Sequence, residues 1–287
     1  MASSAERHDL LFAAELSEQA KRYDEMGDAM KKLAMMKVEL SPEERLAFSM
    51  AYKKAIEPLR SSWGILQQVK TNEEINGAKQ KVIRIREFQE KIESGLSSIC
   101  DEVMSLLDKH LIPFTANDEN RVFYLKMKGD YYRYMAEYKT GSEKKKAINN
   151  SLKAYQTATV EAEGLPPLNP IMLGSNLNYS VFLYDIVKAR RRAMAVARRT
   201  VDAAEGEIES KKLNKEMYED SMTILDLIKD NLARWAADVP LGSDDIFFIF
   251  LYLDISSIHI LLFYITFCNH VLIFFTRFSI AMVLSFV

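Results

Sequence analysis

A chain of 287 residues with 48% apolar and 27% charged side chains can fill one or two packed domains and has the composition of a soluble protein. Of 38 basic and 40 acidic residues only Asp244, Asp245, Asp254 and Arg277 lie beyond position 243, so the body carries no net charge and no general basic excess for a nucleic-acid partner. Two distant cysteines, Cys100 and Cys268, exclude a disulfide framework or a Cys-based zinc site and suit a reducing compartment.

The four histidines (His8, His110, His259, His270) lack metal-ligand spacing, so no metal or cofactor is expected. The opening MASSAERHD has no signal-peptide core, which predicts a cytoplasmic or nuclear body.

That body reads as all-α. Leu10, Leu11, Ala14 and Leu16 begin an amphipathic first helix, and a second is predicted from about Asp24 to Lys37. Ser41-Pro42-Glu43-Glu44 is a capping box with Pro at the first helical position, opening a long helix to about Lys70. Asn76-Gly77 breaks the chain before a helix from Lys79 to His110, which Pro113 stops. Further helices are predicted over Glu119–Tyr138, Ser142–Glu163, Asn169–Glu209 and Lys215–Ala237, the third of these divided near Arg190 or Gly206. Pro and Gly fall between these segments rather than within them. No solenoid-length internal repeat is visible.

Beyond about residue 240 the composition changes. Ile255 to Thr276 contains no Asp, Glu, Lys or Arg, and as a helix would extend about 33 Å, enough to cross a bilayer core. Three readings of this apolar tail (241–287) compete: a membrane anchor, a segment docked on the body, or translated non-coding sequence. Ser256, Ser257, His259, Asn269 and His270 sit badly in lipid.

Basic residues recur at helical spacing. Lys53 and Arg60 are seven residues apart, two turns along one face, and Lys126 and Arg133 repeat the pattern. Asp130 stands four residues after Lys126 and three before Arg133, where it can orient both. Solvated ion-paired faces explain any single pair. Taken together, two guanidinium groups and an ammonium with the Tyr134 hydroxyl would suit a phosphate dianion. Leu177, Asn178, Val181 and Asp185 form one further set, and Leu227, Asn231 and Trp235 another, each mixing apolar residues with an amide. The run Arg190, Arg191, Arg192, Arg198 and Arg199 reads most simply as a solvated helix face.

Arg22-Tyr-Asp-Glu-Met26, Leu40-Ser-Pro-Glu-Glu-Arg45, Ala51-Tyr-Lys53, Arg60-Ser-Ser-Trp63, Phe123 to Tyr134, Leu177-Asn-Tyr-Ser-Val-Phe182 and Asp230-Asn-Leu232 with Trp235 resemble the 14-3-3 family, in its order and spacing over about 1–240. The resemblance implies about nine antiparallel helices forming a cup-shaped groove, dimerised through the N-terminal helices. It implies a non-enzymatic adaptor for phosphoserine or phosphothreonine segments of client proteins, acting in signal transduction. Lys53, Arg60, Arg133 and Tyr134 would hold the phosphate, and Lys126, Asn178 and Asn231 the peptide backbone. Leu177, Val181 and Leu227 would form an apolar wall, with Asp185 and Trp235 completing the groove.

At the implied dimer face Leu16, Ala20, Arg22 and Lys91 match, Glu25 is conservative, and Phe88 lacks a Tyr hydroxyl, so a homodimer or a heterodimer with paralogues is expected. The chain also departs from the family. Leu59 and Gly64 stand where Arg is usual and Met172 where Arg follows the Pro-Ile pair, while at the dimer face Gly95 replaces an acidic residue and removes an intersubunit salt-bridge partner. Asp185 shortens a Glu, and Arg234 replaces a small or apolar residue. A membrane-tethered scaffold with a partly decayed groove is the alternative, with membrane contact only if the tail is genuine.

Overall fold

The computed structural model describes residues 4–210 and 215–238. Among them are nine α-helices and no strand: α1 (Ser4–Gln19), α2 (Tyr23–Ala34), α3 (Pro42–Ile75), α4 (Lys79–Leu106), α5 (Asp118–Tyr138), α6 (Gly141–Glu161), α7 (Pro170–Asp185), α8 (Arg190–Ser210) and α9 (Lys215–Asp238). The expected all-helical architecture is what is observed. Contacts group Met1–Trp235 into one compact unit; of a second, Ala236–Val287, only the end of α9 is described. The apolar tail lies outside the described residues. Within them no helix is long and apolar enough to cross a membrane.

Local chemistry sets the helix ends. Ser41 accepts the Glu44 amide at 3.3 Å while the Glu44 carboxylate accepts the Ser41 amide at 2.8 Å, completing the capping box. Asn117 caps α5 through the Asn120 amide, and Asn169 caps α7 through the amides of Ile171 and Met172, with Pro170 at the first helical position. Gly77 takes φ +70° to turn the chain from α3 into α4. α4 ends in a π-helical turn, Leu107–Leu111, followed by a short 3-10 turn at Pro113.

The division of the Asn169–Glu209 segment falls beside Arg190, the first of its two expected places, at residues 186–189, where Lys188 adopts φ +61°; α8 continues through Gly206. The expectation that Pro and Gly fall between helices is corrected: Gly27, Gly64, Gly95, Gly129, Gly174 and Gly206 lie inside helices, and so does Pro58. It cannot donate to the carbonyl four residues back, which weakens the helix locally by an amount on the order of 3 kcal/mol in an exposed host.

Two apolar clusters form the interior. Met26, Met30, Phe48, Leu107 and Tyr124 anchor one among the N-terminal helices. Tyr155, Phe182, Leu183, Leu225 and Trp235 anchor the other. Each large side chain taken from water contributes roughly 1.5–3 kcal/mol. A partly buried polar network ties α1, α3, α5 and α7 at one end. Arg7 binds Glu44, Arg45 donates to the Asn120 carbonyl, Asn120 donates to Glu39 at 3.0 Å, and Asn169 donates to Glu119 at 2.5 Å.

Candidate functional site

The site is built on one face of α5, where Lys126, Asp130, Arg133 and Glu137 recur every three or four residues. Asp130 is its hub. Lys126 Nζ lies 3.0 Å from its Oδ2 and Arg133 Nη2 3.5 Å from its Oδ1. From α6 the Tyr155 hydroxyl donates to Oδ1 at 2.5 Å, and from α7 Asn178 Nδ2 donates to both oxygens at 2.9 and 3.1 Å. Asp130 thus orients Lys126 and Arg133 as its spacing predicts, and fixes Asn178 as well.

Asp130 is buried, which raises its pKa, but the Lys126 and Arg133 charges and the Tyr155 hydroxyl outweigh that penalty. The carboxyl is held below the ordinary range and stays ionised. Burial likewise works against the Arg133 charge and is outweighed by its Tyr155, Asp130 and Tyr134 neighbours, so its pKa is raised. Nδ2 of Asn178 is committed to Asp130, which fixes the orientation of the amide and of its carbonyl oxygen.

α3 supplies the opposing charge. Arg60 donates through Nε and Nη2 to the two oxygens of Glu137 at 2.9 and 2.7 Å. Arg133 Nη1 approaches the same carboxylate at 3.7 Å. Both guanidinium groups also lie against the ring of Tyr134, at 3.8 and 4.8 Å from its centroid. Burial pushes the Tyr134 hydroxyl up to about 12, so it remains a protonated donor at neutral pH. Lys53, two turns before Arg60, is exposed and has no ion-pair partner among the described residues. Arg60, Lys126 and Arg133 pair with the two carboxylates of Asp130 and Glu137, three positive charges against two negative, an arrangement that suits an anion.

Of the residues expected in the groove, Leu177 and Val181 are half-buried on α7, and Leu227 on α9 is half exposed. Asn231 is buried, its carbonyl accepting from Arg234 one turn on. Trp235 is also buried, its ring stacked on Tyr184 at 4.5 Å and 10°. Asp185 is exposed at the end of α7. Gly64 follows Arg60 by one turn, and a side chain there would meet nothing within 4 Å.

Leu16 on α1, Ala20 in the turn that follows it and Phe88 on α4 are exposed. Arg22 pairs with Glu25 one turn on, and Lys91 lies 5.5 Å from the Phe88 ring.

Glu137 and Tyr155 were not singled out from the sequence. Glu137 follows Arg133 by four residues, a signal that was available. Tyr155 has none, because it reaches Asp130 from another helix.

A family model described as 14-3-3 protein matches residues 13–236. The chain is 48% identical to 14-3-3 protein 9 of Solanum lycopersicum over 246 residues, 85% of this chain and 94% of the relative. It is 49% identical to 14-3-3 protein 8 of the same plant over 241 residues, 84% and 92% of the two chains. To 14-3-3-like protein B of Vicia faba it is 48% identical over 246 residues, again 85% and 94%. With the helical fold and the α3/α5 cation cluster in place, the chain belongs to the 14-3-3 family of adaptor proteins.

Proposed function

We propose that this adaptor binds phosphoserine- or phosphothreonine-containing segments of its clients and regulates them by holding those segments. One observation carries the reading: Arg60 and Arg133, from different helices, meet on the carboxylate of Glu137 and on the Tyr134 ring. A site that gathers two guanidinium groups around an oxyanion of its own can exchange it for a phosphate, whose three oxygens accept more bonds. Lys53 and the Tyr134 hydroxyl complete the phosphate site. Lys126, Asn178 and Asn231 hold the peptide backbone, and Leu177, Val181 and Leu227 line the flanking residues, with Asp185 and Trp235 at the edge. No covalent chemistry is required.

Exposed Phe12, Leu16 and Phe88 on α1 and α4 support pairing of two copies, or of this chain with a paralogue. Two sites in one dimer raise the effective concentration for the second. The reading takes residues 1–240 as the binding domain and 241–287 as lying outside it. The buried free thiol of Cys100 suits the reducing cytoplasm or nucleus.

Isothermal calorimetry with matched phosphorylated and unphosphorylated peptides tests the proposal. The phosphorylated peptide should bind at least 100-fold more tightly, about 2.7 kcal/mol, and Lys53→Glu should abolish the difference. Equal affinities would overturn it.

A further inference from the structure

A second concave surface lies between α6, α7 and α8, where Gln156, Val160, Tyr179, Arg192, Val196 and Arg199 line a groove of about 450 Å³. Tyr179 separates it from the phosphate site: its ring stacks on Tyr155, whose hydroxyl is bound to Asp130. Its floor is apolar, with Val160 64% exposed and Val196 half-buried.

Arg192 and Arg199 line its rim, and Arg191 and Arg198 stand beside them on α8, forming two rows with seven-residue spacing, about 10.5 Å along the helix. All four are exposed, and none has an ion-pair partner among the described residues. The opposite face of α8 is committed to the core through Ala193, Ala197, Val201 and Ala204. The arginines therefore hold up no local structure, and their clustering is unexplained by folding.

We propose that this groove binds an acidic, unphosphorylated peptide segment of a partner protein: one apolar side chain on the Val160/Val196 floor, flanked by carboxylates about 10 Å apart on the arginine rows. Charge complementarity selects an anionic occupant, and arginine forks bind carboxylates bidentately. The extent of the patch selects a short one. Beyond Arg199 the exposed face of α8 turns acidic at Asp202, Glu205 and Glu209. The basic surface thus extends over less than three turns, roughly 15 Å, too short to track a nucleic-acid strand or lie flat on a bilayer. A concave apolar floor fits an inserted side chain, and neither a lipid headgroup layer nor a phosphate backbone offers one.

The test uses the full-length chain and a fluorescein-labelled, unphosphorylated peptide of about 14 residues with glutamate pairs on either side of a central leucine, spaced for two helical turns. Anisotropy at low salt should report micromolar binding. Arg192→Glu with Arg199→Glu should weaken it at least tenfold, and replacing the peptide leucine by serine several-fold. Both arginines are exposed, and an unchanged circular dichroism melt verifies the fold. Saturating phosphopeptide and Lys53→Glu should leave this binding unchanged, so its failure is distinguishable from failure of the phosphate site. Full affinity in the double arginine variant, or displacement by phosphopeptide, would overturn the proposal. So would tighter binding to phosphatidylserine vesicles or single-stranded RNA, lost in that same variant.

Discussion

Glu137 of α5 accepts both donors of the Arg60 fork from α3, two helices bridged by a bidentate ion pair 77 residues apart in sequence. The pair is about three-quarters shielded from solvent on each side. Glu137 therefore occupies Arg60, and under the proposed function its negative charge opposes an incoming phosphate dianion. Glu137→Gln should remove that repulsion while keeping a carbonyl acceptor for Arg60. Phosphopeptide affinity should rise about three- to tenfold, on the order of 1 kcal/mol. Calorimetry reads this directly. A loss of affinity would instead make Glu137 a positioning partner that Arg60 cannot do without.

Gly64→Arg should improve both stability and binding. Gly64 lies inside α3, where glycine costs about 0.8–1.0 kcal/mol relative to a good helix former. A side chain there meets open space. One turn beyond Arg60, the new guanidinium would add to the field at the phosphate site. Thermal melts should shift upward by about 3 °C, and phosphopeptide affinity should increase several-fold at low ionic strength. The affinity gain, but not the melting shift, should shrink in concentrated salt.

How much of this was legible in the sequence depended on distance along the chain. The Ser41–Glu44 box and the Asn169-Pro170 start were readable because a cap is a contact across three residues. The Lys126–Asp130–Arg133 relation was readable for the same reason. The turn after α7 was harder to place: Lys188 takes the left-handed conformation usually marked by glycine, while the visible glycine, Gly206, continues a helix. Pro58 sits mid-helix because packing of α3 overrides a local breaker. The bonds of Arg60 to Glu137 and of Tyr155 and Asn178 to Asp130 join residues 77, 25 and 48 apart, which no helical period reveals.

Leu59 and Gly95 are a size-matched pair. A Cβ built on Gly95 would come within 3.1 Å of Leu59 Cδ1, tighter than ordinary packing. An acidic side chain at position 95 therefore has to displace Leu59 or crowd it. Gly95→Glu alone should cost about 1 kcal/mol, since overpacking outweighs the helix-propensity gain. Combined with Leu59→Arg the apolar clash becomes an opposite-charge pair, and most of that cost should disappear. Urea melts of the two single variants and the double variant form the cycle. A coupling energy below about 0.3 kcal/mol would mean that the two positions are independent.

Asp130 should make stability depend on pH in a defined window. Its folded pKa lies below the unfolded value near 3.9, because Lys126, Arg133 and the Tyr155 hydroxyl outweigh the burial penalty. A depressed carboxyl contributes stability that is fully present above the unfolded pKa. That contribution is lost as pH falls through the folded pKa, where the unfolded chain has already taken up the proton. Asp130→Asn keeps the shape but leaves Lys126 and Arg133 without their shared anion, which should destabilise the domain by about 3 kcal/mol at neutral pH. Trp63 and Trp235 give the fluorescence signal for urea melts at pH 7, 5 and 3.5. The difference between wild type and variant should be constant from pH 7 to about 5 and shrink below about 4. A difference that grows on acidification would mean that Asp130 is stabilised in its protonated form, and the hub assigned to it would fall.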